Sequence, residues 1–136
     1  MRATIFVLSA VGLMACTTYR DELTRAQTAY DANDHETALA LTRAIEPNAP
    51  LLRPSEQAKY YYLRGMANFR IGFRAEARHN LAMAREINGD TGALPSDWKN
   101  RMDEILATLN TEVYDNGLST LTAQENEQAA KRPKRR

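Results

Sequence analysis

The spacing of apolar residues is the feature that most constrains how this chain can fold. From residue 19 to about residue 110, apolar side chains recur at intervals of three and four, and no stretch alternates with a period of two. This spacing collects apolar residues on one side of an α-helix, whereas half-buried strands need strict alternation. The sequence therefore predicts an all-α domain over residues 19–110.

Residues that interrupt helices divide this region into five segments. Pro47, Pro50 and Pro54 exclude a helix between the second and third segments, and Gly72 ends the third. The predicted helices cover residues 19–32, 35–46, 55–71, 74–88 and 97–110. Because short connections join antiparallel neighbours, we expect two antiparallel helical hairpins and a capping helix.

The second hairpin carries a specific pattern, YYYLRGMANFRIGFRAEARHNLAMAREIN, over residues 60–88. This segment resembles a tetratricopeptide repeat. The positions that match the motif are Tyr61, Gly65, Gly72, Ala77, Leu81 and Ala84. Small residues at 65 and 77 are needed because the two helices of such a repeat cross closely.

The first hairpin fits the same motif less well. Aligning Ala38 with Ala77 places Asn33 at the position of Gly72, thirty-nine residues earlier, whereas tetratricopeptide repeats have about 34 residues. The additional residues lie in the proline segment, and Thr42 replaces the leucine found at 81. A plain helical bundle is the alternative interpretation.

Two repeats are fewer than the roughly three that helical arrays need to bury a continuous core. The fifth helix is therefore expected to cap the open face, with Trp98 as its main anchor. Burial of this side chain would contribute about 2–3 kcal/mol. Formation of a homodimer, or binding of a partner, is another way to complete such a core.

The amino terminus has the composition of a secretory signal. Arg2 is followed by thirteen uncharged residues, 3–15, which fit a signal-peptide core but are too short to cross a hydrocarbon layer of about 30 Å. The run ends at Leu13-Met14-Ala15-Cys16, which resembles the lipobox of bacterial lipoproteins. The resemblance implies cleavage of residues 1–15 and attachment of diacylglycerol and a further acyl chain, such as palmitate, at Cys16.

Several expectations follow from this lipoprotein resemblance. Residues 16–18 would form a short tether, and Thr17 in place of aspartate implies the outer membrane, with the domain on its periplasmic face. No cofactor is expected other than the covalent lipid. The alternative is a buried cysteine within an uncleaved helix; in either case a single cysteine cannot form an internal disulfide.

The tetratricopeptide resemblance also implies a binding groove on the inner face of the first helix of each repeat. Tyr62, Met66 and Phe69 form an apolar stripe flanked by Lys59 and Arg70, which suits an amphipathic or acidic-ended peptide. The first repeat contributes Arg20, Leu23, Gln27, Tyr30 and Asp31. The alternative is that the fifth helix, or Leu51 and Leu52, covers the stripe.

No pattern typical of an enzyme or a metal site is present in the sequence. His35 and His79 stand apart from other ligands at metal spacing, and no serine has a Gly-x-Ser-x-Gly setting. Arg74, Arg78 and Arg85 share one side of a helix with acidic neighbours, which is typical of a solvated charged face. We therefore expect neither an enzyme nor a metal-binding protein.

The charge distribution separates the body from a basic end. Residues 16–130 have a net charge of −5, whereas residues 131–136 read KRPKRR. A mildly acidic body argues against a nucleic-acid surface. Residues 111–136 are predicted to form a flexible tail that contacts anionic lipid or cell-wall polymer, or serves only for solubility.

Together these patterns predict a lipid-anchored adaptor that acts as an accessory or assembly factor of a cell-envelope complex. Its partner would be an envelope protein or peptide held in the helical groove. The alternative is a structural envelope lipoprotein that attaches through its basic tail.

Overall fold

The computed structural model describes the backbone of residues 14–132 and the side chains of residues 19–132. Within these residues the chain forms α-helices, one 3-10 helix and no strand, so the predicted all-α class is confirmed. The helices are α1 (Met14–Asp31), α2 (His35–Ile45), α3 (Pro54–Ile71), α4 (Arg74–Thr91), α5 (Ser96–Asn116) and α6 (Leu118–Lys131), with the 3-10 helix at Glu46–Leu51.

The first two hairpins, α1–α2 and α3–α4, have the same turn. Asn33 and Gly72 both adopt the left-handed conformation, with φ of 60° and 92°. The residues that follow them, Asp34 and Phe73, have nearly identical backbone angles, with φ/ψ of −85°/72° and −84°/76°. Each also donates its backbone N–H to the carbonyl five residues earlier, at 2.9 Å. The thirty-nine-residue repeat seen in the sequence is therefore also a repeat of turn geometry.

The two helices of the second hairpin cross closely at Gly65. A Cβ atom added to Gly65 would lie 2.7 Å from both Cγ and Cδ2 of Leu81, closer than real contacts allow. Ala77 on α4 is fully buried at the same interface. Small residues at 65 and 77 thus set the separation of α3 and α4.

The proline segment is more regular than its sequence predicts. It was expected to contain no helix, but Glu46–Leu51 forms a 3-10 helix that includes Pro47 and Pro50. Pro47 is tolerated because it lies in the first turn, whose N–H groups have no partner inside the helix. Pro50 lies inside the segment and donates no hydrogen bond there. The side chain of Gln57 secures the end of the segment by donating to the carbonyls of Pro50, at 3.3 Å, and Leu52, at 2.9 Å.

Helices α4 and α5 both run past their predicted ends. Helix α4 continues through Gly89 to Thr91 and ends at Gly92, which has a φ of 60°. Helix α5 begins at Ser96 and reaches Asn116, six residues beyond the predicted end. The tail predicted from residue 111 onward is therefore helical in its first part.

Residues 118–131 were predicted to belong to a flexible tail, but they form helix α6, so the prediction is wrong for this segment. Leu121 is buried, and the carboxylate of Glu125 accepts a hydrogen bond from the backbone N–H of Glu76, at 3.3 Å, in the first turn of α4. The guanidinium of Arg132 lies 2.6 Å from the Glu36 carboxylate. These contacts hold residues 118–132 across the turns of the first two hairpins. Residues 133–136 lie outside the described part of the chain.

The predicted signal peptide, residues 1–15, lies outside the described residues except for the backbone of residues 14 and 15. The backbone of residues 16–18, which were predicted to form a short tether, is part of helix α1. Over residues 14–132, no helix combines the length and apolar character required to cross a bilayer.

Candidate functional site

Helix α5 covers the groove predicted on the inner face of α1 and α3. Tyr62 and Met66 have no exposed surface, and the ring of Trp98 stacks on that of Tyr62 with centroids 4.4 Å apart and planes 13° apart. Farther along α5, Met102 and Leu106 are also buried. The prediction of an open groove at Tyr62 and Met66 is thus wrong, and the alternative, a stripe covered by the fifth helix, is what the structure shows.

Helix α5 packs over the stripe on α3 because both of these helix surfaces are apolar. Helix α5 carries a continuous apolar side that needs a partner, and the stripe on α3 is the apolar surface left open by the first two hairpins. Tyr30 of α1 joins the same contact, with its ring centroid 6.5 Å from that of Tyr62. The aromatic residues expected to bind a partner are therefore part of the core.

The other predicted groove residues have separate surroundings. Phe69 is half-buried beneath the Arg74 guanidinium, which lies 5.4 Å from the ring centroid. Arg70 is exposed, whereas Gln27 and Lys59 are half-buried. Of the predicted set, only Gln27 and Lys59 lie together on an open surface, and they do so beside Trp98.

These residues form a depression of about 200 Å³ between α1, α3 and the start of α5. Its apolar wall is formed by Leu94, Pro95 and Trp98, and Gln27 and Lys59 lie on its polar side. The complete lining is Gln27, Ser55, Lys59, Ala93, Leu94, Pro95 and Trp98. The depression is the part of the predicted groove that α5 leaves open, and we refer to it as the α5 depression.

The apolar wall of the α5 depression is held by a buried side chain in the preceding helix. The amide oxygen of Asn88 accepts a hydrogen bond from the backbone N–H of Leu94 at 2.7 Å. This bond fixes the turn between α4 and α5, and Pro95 restricts the backbone where α5 begins. The contact between Leu94 and Asn88 could not be predicted from the sequence, because it joins a helix end to a loop.

Lys59 gives the α5 depression its electrostatic character. Among the described side chains, no ion pair or hydrogen bond involves the Lys59 ammonium group, although most nearby cations of α1 and α3 have carboxylate partners. An ammonium group offers three hydrogen-bond donors and no acceptor. The site can therefore bind a carboxylate while its apolar wall contacts an adjacent apolar group.

Two groups beside the covered groove are buried with incomplete hydrogen bonding. Under strict hydrogen-bond geometry, no partner for the hydroxyl of Tyr62 or for Nδ1 of His35 is found within residues 19–132, although the Arg101 guanidinium lies near the Tyr62 hydroxyl. Burial strongly raises the pKa of Tyr62, so its hydroxyl stays protonated. Burial, assisted by the positive charge of Arg70, lowers the pKa of His35, which was expected to be a surface imidazole but packs against the Tyr30 ring at 5.2 Å.

Two of the three arginines predicted to form a solvated face on α4 instead connect helices. Arg74 forms an ion pair with Glu112 of α5, with Nε 2.8 Å from Oε2. Arg78 donates from Nε to the amide oxygen of Asn110 at 2.7 Å, and only Arg85 is fully exposed. For Arg74 and Arg78 the solvated-face interpretation is wrong. Both contacts join residues more than thirty positions apart, which spacing along one helix cannot reveal.

The described residues contain no group of three or more histidine, cysteine, aspartate or glutamate side chains arranged to hold a metal ion. The fold and site together define an all-α protein of stacked hairpins with a small depression that is apolar on one side and cationic on the other. Comparison of the chain with protein-family models, curated proteins and solved structures finds no match. The function is therefore argued from the depression itself.

Proposed function

We propose that this chain is a lipid-anchored adaptor of the cell envelope. Its lipid is carried by Cys16, at the end of the lipobox-like Leu13–Cys16, and its helical domain holds a segment of another envelope protein. The observation that carries the proposal is the ammonium group of Lys59, which has no counterion in the described structure and lies beside the Trp98 ring in the α5 depression. Its role is that of an accessory or assembly factor on the periplasmic face of the outer membrane.

The size and chemistry of the α5 depression define the ligand class. Sites for small-molecule ligands usually enclose about 300–1,000 Å³, whereas this one offers about 200 Å³. It therefore suits one anchor residue of a protein partner better than a whole substrate. The Lys59 cation and the apolar Trp98 wall favour a segment with a carboxylate next to an apolar side chain.

The alternative of a structural lipoprotein held by its basic tail receives less support. Two of the basic side chains in residues 131–136 are already paired with carboxylates. Lys131 lies 2.5 Å from Glu127, and Arg132 lies 2.6 Å from Glu36. These pairs reduce the positive charge that the tail offers to a polyanion.

The first test concerns the anchor. Cys16→Ser is expected to abolish acylation, because the lipid requires a thiol, and to leave an unprocessed precursor. Mass spectrometry of the purified protein and fractionation of the cells measure both effects. Normal maturation and membrane association of the variant would contradict the proposed anchor.

The second test concerns the α5 depression. A photo-crosslinking amino acid at Gln27 is expected to form an adduct with a specific envelope protein, and Lys59→Glu is expected to reduce that adduct at least about tenfold, since like charges then oppose each other. Lys99→Glu is the matched control, because Lys99 is exposed on α5 and lies outside the depression. Equal adduct yields with Lys59→Glu and Lys99→Glu would argue against binding in the depression.

A further inference from the structure

A second surface lies at the end of the domain where α1 begins. Leu51 is 75% exposed and is one of three large apolar side chains in residues 19–132 that are exposed in this way, together with Tyr114 and Leu118. Isolated exposed leucines are common on protein surfaces, so exposure alone is not informative. The position and the charged neighbours of Leu51 carry the argument.

An ion pair places the start of α3, and with it the segment that carries Leu51, beside the first turns of α1. The Glu56 carboxylate lies 2.8 Å from Nε of Arg20 on α1 and 2.9 Å from Nη2 of Arg53. Arg20 is four residues after Cys16, a rise of about 6 Å along a helix. The segment that carries Leu51 and Arg53 therefore lies close to the proposed site of lipid attachment.

The same ion pairs leave an excess of positive charge next to Leu51. Arg20 and Arg53 share the single carboxylate of Glu56, whose side chain is only 16% exposed, compared with 49% and 64% for the two arginines. The next acidic residue on α1, Asp21, projects about 100° away from Arg20 around the helix axis. We call Leu51, Arg20 and Arg53 the anchor-end patch.

The protein backbone fixes the direction in which Leu51 points. Ala49, two residues before Leu51, and Leu52, directly after it, are buried in the core. The 3-10 helix containing Pro50 and the two hydrogen bonds from Gln57 restrain the segment further. Leu51 is thus presented outward by a rigid turn and does not project from an unrestrained loop.

We propose that the anchor-end patch rests on the bilayer into which the Cys16 lipid inserts, an inference that depends on the proposed lipidation. Leu51 enters the boundary between headgroups and acyl chains, and the guanidinium groups of Arg20 and Arg53 contact anionic lipid phosphates. One leucine and two arginines bind a membrane weakly by themselves. Here the covalent anchor keeps them at high effective concentration, so weak contacts suffice to orient the domain.

This orientation places the opposite end of the domain away from the membrane. Helix α3 extends about 25 Å from Glu56 toward Gly72, and the ion pair between Arg74 and Glu112 brings the end of α5 to the Gly72 side. Tyr114, which is 90% exposed, lies at that distal end. It provides an internal control for any measurement of membrane contact.

The test uses the full-length lipidated protein in vesicles that contain phosphatidylglycerol. Because acylation consumes the thiol of Cys16, the chain's single cysteine, Leu51→Cys and Tyr114→Cys can each be labelled specifically with a small fluorophore. A lipid carrying a quencher near the headgroup is expected to quench the label at position 51 severalfold more than the label at position 114. Equal quenching at both positions, or stronger quenching at 114, would overturn the inference.

A second arm isolates the contribution of charge. With Arg20→Gln and Arg53→Gln combined, quenching at position 51 is expected to fall in phosphatidylglycerol vesicles to the level seen in neutral phosphatidylcholine vesicles. Unchanged quenching would show that the two arginines do not contribute to the membrane contact. Mass spectrometry of the same samples separates the two proposals: an unacylated Cys16 contradicts the anchor itself, whereas an acylated protein with no quenching at 51 contradicts only the membrane contact of the patch.

Discussion

Replacing Gly65 with leucine is expected to lower the free energy of unfolding by about 3 kcal/mol, because it overpacks a closely packed helix crossing. Even the first added carbon would lie 2.7 Å from two side-chain atoms of Leu81 and 3.0 Å from its backbone nitrogen. The Leu81 side chain can move to some extent, but its backbone cannot move without separating α3 from α4. Urea unfolding followed by far-UV circular dichroism measures the effect.

Gly89 provides the matched control for this substitution. It also lies inside a helix, α4, but a Cβ atom there would meet nothing within 4 Å. Gly89→Leu is expected to stabilise the protein by about 0.5–1 kcal/mol, since leucine has a higher helix propensity than glycine. If substitutions at 65 and 89 changed the urea midpoint by the same amount and in the same direction, close packing at Gly65 could not be the cause.

The parts of the fold that depend on local sequence were predictable. The apolar spacing indicated the first five helices, and aligning Asn33 with Gly72 located two turns that have the same backbone geometry. A left-handed residue favours glycine or asparagine, so the turn chemistry can be read directly from the residue types. Such local rules act within a few residues, where a single sequence contains the necessary information.

Helix α6 could not be predicted in the same way. Its only buried residue is Leu121, so no apolar stripe marks it in the sequence. Long-range contacts hold it in place: Glu125 binds the first turn of α4, and Arg132 pairs with Glu36. Because these partners are far away in sequence, residues 118–131 look like a polar tail until the tertiary structure is known.

The candidate site could likewise be predicted only in part, because long-range contacts decide which of its residues stay open. Gln27 and Lys59, two of the predicted groove residues, line the α5 depression together, and the sequence also left open that the fifth helix covers the apolar stripe. Spacing along α3 could not decide between a stripe that binds a partner and one that binds α5, because both need the same apolar residues. The stacking of Trp98 on Tyr62 shows that the stripe binds α5 in the folded chain. The α5 depression is the part of the predicted groove that stays open.

The Trp98 side chain therefore connects the stability of the domain with its proposed binding site. Trp98→Ala is expected to lower the free energy of unfolding by about 2–3 kcal/mol, through lost burial and through lost stacking on Tyr62. Hydrogen exchange should increase first in α5, since that helix loses its first aromatic contact with α3. Urea unfolding and exchange mass spectrometry of the variant measure the two effects.

Trp98→Phe serves as the control because it retains an aromatic ring opposite Tyr62 and should lose clearly less stability than the alanine variant.

Crosslinking from Gln27 then distinguishes two modes of binding. If Trp98 is a wall of the site, Trp98→Ala weakens the adduct and Trp98→Phe largely preserves it. If the partner instead replaces α5 on Tyr62 and Met66, Trp98→Ala strengthens the adduct, because the competing helix is held less tightly. That second result would contradict the α5 depression as the binding site and assign binding to the stripe beneath α5.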